Sequence, residues 1–229
     1  MRPRLLLFDI DGTLVLTGGA GKRAMIRALA QVFGVDAGFD GVNMAGRTDT
    51  ELLSAAFAQG GVADTPGTHA RFREAYLPLL REEVQQPGSG RKAVMPGVRA
   101  LLAALVALPN AHLALLTGNY REAAQVKLSY FHLASFFAWG AFGDESPDRN
   151  ELARIAVQRA ADQGVPADAR ASVLVIGDTP YDIACAHAVR ARALGVATGG
   201  HSVAELRDAG ADVVLDDLSD TEGVLRLLL

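Results

Sequence analysis

At 229 residues, half of them hydrophobic and 21% charged, the chain has the composition of a globular protein long enough to bury a sizeable core. Its net charge of -4 excludes the broad basic footprint of a nucleic-acid binder or a polybasic membrane segment. The single Cys185 excludes an internal disulfide and a CxxC zinc site, and it fits a reducing cytoplasm. Basic charge is skewed: lysine stands only at 22, 92 and 127, against nineteen arginines.

Arg2 and Arg4 precede an apolar run at 5–8 that is too short for a signal peptide or a membrane span. It reads as a buried strand, and a cytoplasmic location is expected. Further buried strands are predicted at 113–116, 173–176, 193–197 and 213–215, with a weaker one within 136–142. Between them lie amphipathic helical patterns at 98–108, 121–131, 151–163, 181–191 and 203–209. Strand and helix alternating in this way predict an α/β fold, a Rossmann-like, mostly parallel sheet sandwiched by helices. Residues 17–92 break the rhythm. They carry helical patterns at 20–33, stopped by Gly34, at 50–59, and at 69–84, where Pro78 should kink the helix, and no convincing strand. Glycines at 18, 19 and 21 mark one end of this stretch and Pro87-Gly88-Ser89-Gly90 the other, both hinge-like. The expected organisation is a core of 1–16 and 93–229 with a helical cap, 17–92, inserted after the first strand.

The sharpest local feature is Asp9-Ile10-Asp11-Gly12-Thr13-Leu14 behind that strand. Residues two apart in an extended chain share a side, so Asp9 and Asp11 can face one cavity while Ile10 points into the core. Two close carboxylates repel unless a cation or proton intervenes, and Mg²⁺, which prefers oxygen ligands, is a suitable partner. An EF-hand is excluded by Thr13 and the missing third acid. An Asx-turn would account for one aspartate but not two. A second apolar strand ends in Gly177-Asp178-Thr179-Pro180-Tyr181-Asp182. Asp178 sits where open α/β folds bind ligands. Asp182 is readable either as a site residue or as the partner of Thr179 in a helix capping box. A third strand runs into Thr117-Gly118-Asn119, whose hydroxyl and backbone N–H groups suit an anionic oxygen. Asn119 also reads as an N-cap, with Glu122 three residues into the helix.

These three segments, DIDGTL at 9–14, LLTGN at 115–119 and VIGDTPYD at 175–182, resemble the haloacid dehalogenase superfamily, in particular its phosphatase-like members with a small helical cap. The resemblance implies that Asp9 is the nucleophile, forming an aspartyl-phosphate, and that Asp11 is the general acid and base. It implies Mg²⁺ held by Asp9, the Asp11 carbonyl and Asp178, with Thr13 and Asp182 in support. Thr117, Gly118 and Asn119 would bind the phosphoryl group. The family's further basic residue is usually a lysine between the last two motifs. No lysine stands there, so Arg149 is taken for that catalytic role, and Lys127, on the preceding helix, is set aside. Asp11 favours phosphoryl transfer over dehalogenation, because carbon–halogen cleavage needs no protonated leaving oxygen. Mutases resembling β-phosphoglucomutase carry a histidine where the chain enters the cap; residues 17–23 have none, which favours a phosphatase of small phosphorylated metabolites over a phosphomutase, and the intact Asp9/Asp11 pair argues against a non-catalytic phosphometabolite-binding protein. Gly46-Arg47-Thr48-Asp49 is similar to the loop with which those mutases meet a second anionic group, so Arg47 is expected to bind substrate.

Other signals are weaker. Gly18-Gly19-Ala20-Gly21-Lys22-Arg23 misses the first glycine and the final Ser/Thr of a Walker A loop. The histidines at 69, 112, 132, 187 and 201 show no paired metal-ligand spacing, and Cys185 reads as helix packing.

Overall fold

Alternation along the first strand sets the layers. The computed structural model describes residues 4–36, 39, 42–88, 90–165 and 172–228; Arg2 and Ser89, which figure in the expectations above, lie outside the described residues. Strand β1 (Arg4–Phe8) sits at the centre of a six-stranded parallel sheet, between β4 (Ala111–Leu116) and β6 (Val173–Gly177). Strand β5 (Gly140–Ala141) completes one edge, and β7 (Arg192–Val196) and β8 (Val213–Leu215) extend the other. Leu6 pairs with Leu113 and Leu174, and Phe8 with Leu115 and Ile176, so these six point to one face. That face packs on α4 (Val98–Val106), α5 (Arg121–Tyr130) and α9 (Thr221–Leu228). Leu5 and Leu7 point the other way and pack with α6 (Arg149–Asp162), α7 (Pro180–Ala188) and α8 (Val203–Asp208). The expected mostly parallel sheet, covered on both sides, is what forms.

Two expectations need correction. The weak strand through 136–142 forms only as the two-residue β5, Gly140–Ala141, with a turn of 3-10 helix, Ala134–Phe136, ahead of it. And the 17–92 stretch is bracketed by strands: β2 (Val15–Thr17) pairs antiparallel with β3 (Lys92–Val94). Three residues each give too little alternation to register in a sequence window. This ribbon ties together the two chain crossings, and Gly88 at φ 75° lies so close that a Cβ there would be 2.3 Å from the Gly18 carbonyl oxygen.

Between the crossings run α1 (Ala20–Phe33), α2 (Asp49–Gly60) and α3 (Pro66–Glu83). The last begins ahead of the pattern at 69 because Thr65 and Thr68 form a reciprocal capping box with Pro66 at the first position. Met25, Leu29, Leu53, Phe57, Phe72 and Tyr76 form a core separate from the two that flank the sheet. Arg23 and Arg27 of α1 clamp Glu83 of α3 at 2.6 and 2.7 Å. Among the described residues, no helix is long and apolar enough to cross a membrane.

Candidate active site

The chain leaves β1 toward β4 on one side and later returns to β6 on the other, so β1 is the point where strand order reverses. The carboxyl ends of β1, β4 and β6 converge there, and open α/β sheets bind ligands in that crevice. All three sequence segments end at this spot. With residues of α1, α2 and α3 they line one cavity of about 420 Å³.

Asp9 follows β1 directly and donates its N–H to the Ile176 carbonyl at 3.0 Å. The chain then turns back: Leu14 N–H reaches Ile10 O at 2.9 Å, and Gly12 takes φ 90°. Gly12 leaves room for Asp178, since a Cβ there would lie 2.3 Å from Asp178 Oδ2. Gly199 forms the other wall, where a Cβ would be 1.7 Å from the same oxygen. Thr13 Oγ1 donates to Asp178 Oδ1 at 3.0 Å. Asp9, Asp178 and Asp182 are all buried, and each offers a carboxylate oxygen within 4.8 Å of the others. Burial pushes the Asp9 carboxyl up, against the pull of Arg149, with Asp182 and Asp11 adding to the rise. Burial likewise raises Asp178, reinforced by Asp182 and Asp9.

Asp182 both caps a helix and stands in the acid cluster. Its Oδ2 accepts Thr179 N–H at 3.0 Å and Thr179 Oγ1 at 2.7 Å, the capping box of α7, while Oδ1 accepts from Arg149 Nη2. The same Nη2 reaches Asp9 Oδ1 at 3.3 Å, and Nη1 donates to the Gly46 carbonyl at 3.1 Å. Burial disfavours the Arg149 charge, but Asp182 and Asp9 outweigh it and hold the guanidinium above its ordinary pKa.

Lys127, set aside on sequence grounds, lies inside the site. Its Nζ donates to Asp11 Oδ2 and to Asn119 Oδ1, each at 2.6 Å. The signal was its place on the helix. Lys127 falls on the buried stripe of α5, Ala123, Ala124, Lys127 and Leu128, where an apolar residue is the rule. Asn119 does not cap α5. Its Nδ2 donates to Asp11 Oδ2 at 2.9 Å and to Thr117 Oγ1 at 2.8 Å, and Tyr120 takes the capping position without a side-chain bond. Remote carboxylates cap the helix instead: Asp49 Oδ2 accepts Tyr120 N–H at 2.8 Å and Asp144 Oδ1 accepts Arg121 N–H at 2.9 Å. Burial raises the Asp49 carboxyl to about 6, although Lys127 and the Tyr120 N–H draw it down.

Asp49 also marks a clasp. Residues 46–50 meet the loops after β4 and β5 through backbone groups: Asp49 N–H to Gly118 O at 2.7 Å, Thr50 Oγ1 to Gly143 O at 2.5 Å, and Thr48 Oγ1 to Pro147 O at 3.0 Å. Gly118 permits the approach, because a Cβ there would lie 2.3 Å from the Arg47 carbonyl. Arg47 lines the cavity with its Nε and Nη2 both engaged by Glu51 Oε1 at 2.9 Å. Asp49 and Lys127 are therefore the functional candidates that sequence reading passed over.

A family model described as haloacid dehalogenase-like hydrolase matches residues 3–190. The probable phosphatase IndB of Dickeya dadantii is 31% identical over 237 residues, covering 100% of this chain and 96% of its own. The phosphoglycolate phosphatase of Pseudomonas savastanoi pv. phaseolicola is 27% identical over 219 residues, covering 94% and 77%. CbbY from Rhodobacter sphaeroides, solved in complex with phosphate, is similar in fold, with a TM-score of 0.70 at 20% identity over 95% of this chain and 96% of that one.

Proposed function

Because the chain belongs to the haloacid dehalogenase-like hydrolase family, we propose that it is a cytoplasmic Mg²⁺-dependent phosphatase of small phosphomonoesters, working through an aspartyl-phosphate. The observation that carries this reading is the meeting, in one cavity, of Asp9, Asp11, Asp178 and Lys127. The donor set fits Mg²⁺: every side-chain ligand is oxygen, and the buried acids outnumber the single guanidinium between them. Asp9, the Asp11 carbonyl and Asp178 would hold the ion, with Thr13 and Asp182 steadying the ligands. The bound ion supplies positive charge that keeps these carboxylates ionised.

In this reading an Asp9 carboxylate oxygen attacks phosphorus as the bond to the leaving alcohol breaks, and Asp11 gives that alcohol its proton. Asp11 then takes a proton from the water that attacks the aspartyl-phosphate, releasing phosphate and restoring Asp9. Thr117, Gly118 and Asn119 bind the phosphoryl oxygens. Lys127, already on Asp11, becomes the cation facing them, and Arg149 ties Asp9 and Asp182 to the loop at Gly46. Residues 17–92 act as a cap hinged at the two crossings, and Arg47 meets the substrate from it. Hydrolysis is favoured over mutase chemistry because Gly21, not a histidine, faces Lys127, a Cβ there standing 3.4 Å from Nζ.

The test is phosphate release from a metabolite panel that includes phosphoglycolate and sugar phosphates. Turnover should require Mg²⁺, stop with EDTA, and fall by at least about a thousandfold in Asp9→Asn. Robust turnover by that variant would remove Asp9 as nucleophile.

A further inference from the structure

Helices α1, α3 and α5 meet beside Lys127. Its ammonium has three protons; Asp11 Oδ2 and Asn119 Oδ1 accept two of them, each at 2.6 Å, which leaves the third for another acceptor. Asp11 Oδ2 also accepts from Asn119 Nδ2 at 2.9 Å, so Oδ1 is the oxygen left to carry a proton. Gly21 faces this point from the first turn of α1. A Cβ there would stand 3.4 Å from Lys127 Nζ, 3.6 Å from its Cε and 3.9 Å from the Tyr76 hydroxyl, all ordinary contact distances. The glycine therefore leaves a space about one atom wide between an ammonium and a phenol, on the wall of the cavity.

The phenol is held rigidly. Phe72 and Tyr76, one helical turn apart on α3, stack with centroids 5.4 Å apart, and Tyr120 meets the Tyr76 ring edge-on at 6.3 Å. The Tyr76 ring is fully buried, yet its hydroxyl bonds to no protein group among the described residues. Buried hydroxyls are normally paired, and phenylalanine would fill the same core without the cost of desolvating an oxygen. Burial raises the phenol well above its ordinary pKa, and the carboxylates of Asp49 and Asp11 add to the rise, so it stays an O–H group.

We propose that Gly21, Tyr76 and Lys127 form a seat for one water, and that this seat positions the water that Asp11 activates against the aspartyl-phosphate. A buried water needs two to four polar partners; the Tyr76 hydroxyl, the third Lys127 proton and the neighbouring Asp11 carboxylate supply them. The inference rests on the phosphatase reading. In the step concerned, the water oxygen bonds to phosphorus while the bond from phosphorus to the Asp9 oxygen breaks, its electron pair returning to Asp9. The water's proton passes to Asp11 Oδ1. Tyr76 and Gly21 are positioning residues: one holds the water, and the other leaves it space. Neither is needed when Asp9 first attacks the phosphomonoester.

The test separates the two halves of turnover. With p-nitrophenyl phosphate in Mg²⁺ buffer, rapid release of p-nitrophenolate reports formation of the aspartyl-phosphate, and phosphate release reports its hydrolysis. Tyr76→Phe, which keeps the stacking on Phe72, should give a burst of p-nitrophenolate equal to the enzyme present. Steady turnover should then run about tenfold below that of the unaltered protein. Acid quenching and intact mass spectrometry should show the phosphorylated chain accumulating. Gly21→Ala should behave in the same way, because its methyl takes the water's space without a clash. Alanine also favours the helix, so this variant should melt no lower than the unaltered protein, and a merely structural role for Gly21 predicts no loss of rate. Steady turnover within about threefold of the unaltered protein in either variant, or slowing without accumulated phosphoenzyme, would overturn the seat. Absence of phosphate release from the unaltered protein would remove the hydrolase reading and the seat with it; release that both variants match removes the seat alone.

Discussion

Gly12 offers the most direct test of how the turn behind β1 builds the site. Alanine at 12 suffers twice. At φ 90° an L-residue pays about 1–2 kcal/mol of backbone strain. The new methyl would also sit 2.3 Å from Asp178 Oδ2, about 1 Å inside ordinary contact. Asp178 cannot swing clear, because Gly199 lies against the same oxygen and Thr13 holds the other. A shift of about 1 Å in a catalytic group can cost on the order of a hundredfold in rate, so Gly12→Ala should lose at least that much phosphate-releasing activity. Gly34→Ala is the control. Gly34 ends α1 at φ 69° with nothing within 4 Å of the added Cβ, so strain alone remains. That variant should melt about 2–4 °C lower per kcal/mol lost and keep its activity. Phosphate release at saturating Mg²⁺, paired with thermal melts, decides the matter. Activity within threefold of the unaltered protein in Gly12→Ala would refute the argument, as would equal activity losses in the two variants.

Other outcomes follow from the same geometry. Lys127→Met keeps the stem that packs on α5 but removes the charge from Asp11 and Asn119; turnover should fall by about a hundredfold or more, and a fall of less than threefold would return the role to Arg149. Asp49 has its carboxyl raised from 3.8 to about 6 in the folded chain, so its contribution is complete below pH 4 and is lost as the pH climbs through 6. At about 1.36 kcal/mol per pH unit of displacement, this amounts to about 3 kcal/mol, and urea titrations should show Asp49→Asn gaining on the unaltered protein by that order between pH 4 and 7. A constant difference across that range would count against it. Asp144→Ala removes a remote cap from the start of α5 and should cost about 1 kcal/mol of stability, read as a lower urea midpoint.

The layers were legible because β1, β4 and β6 are apolar runs, β1 and β6 ending in unexplained acids and β4 in Thr117-Gly118-Asn119, and backbone physics places such ends at the crevice. What escaped depends on contacts between distant segments. Lys127 stands eight residues beyond Asn119, and only the packing of α5 turns the two toward each other. Asp49 looks like an ordinary acid in the first turn of α2, and it is one, but its carboxylate serves the neighbouring α5. Asn119 reads as a cap because its type suits one, and the pull of Asp11 and Lys127 takes it elsewhere. Helix α9 escaped for a different reason: Asp220 is a start signal, its Oδ1 accepting Gly223 N–H at 3.0 Å, but eight residues carry too little periodicity to register as a helix.

The scarcity of lysine gives this protein a built-in set of reporters. An amine-reactive label followed by mass spectrometry addresses only three side chains, and each stands in a different circumstance. Lys22 is open at the mouth, Lys92 lies over the Tyr130 ring at 4.7 Å with its Nζ on the Gln86 carbonyl, and Lys127 is 5% exposed inside the cavity. Labelling at Lys127 therefore reports on access to the buried end of the cavity, labelling at Lys22 on its mouth, and labelling at Lys92 on the crossing at β3, all in one unmodified chain.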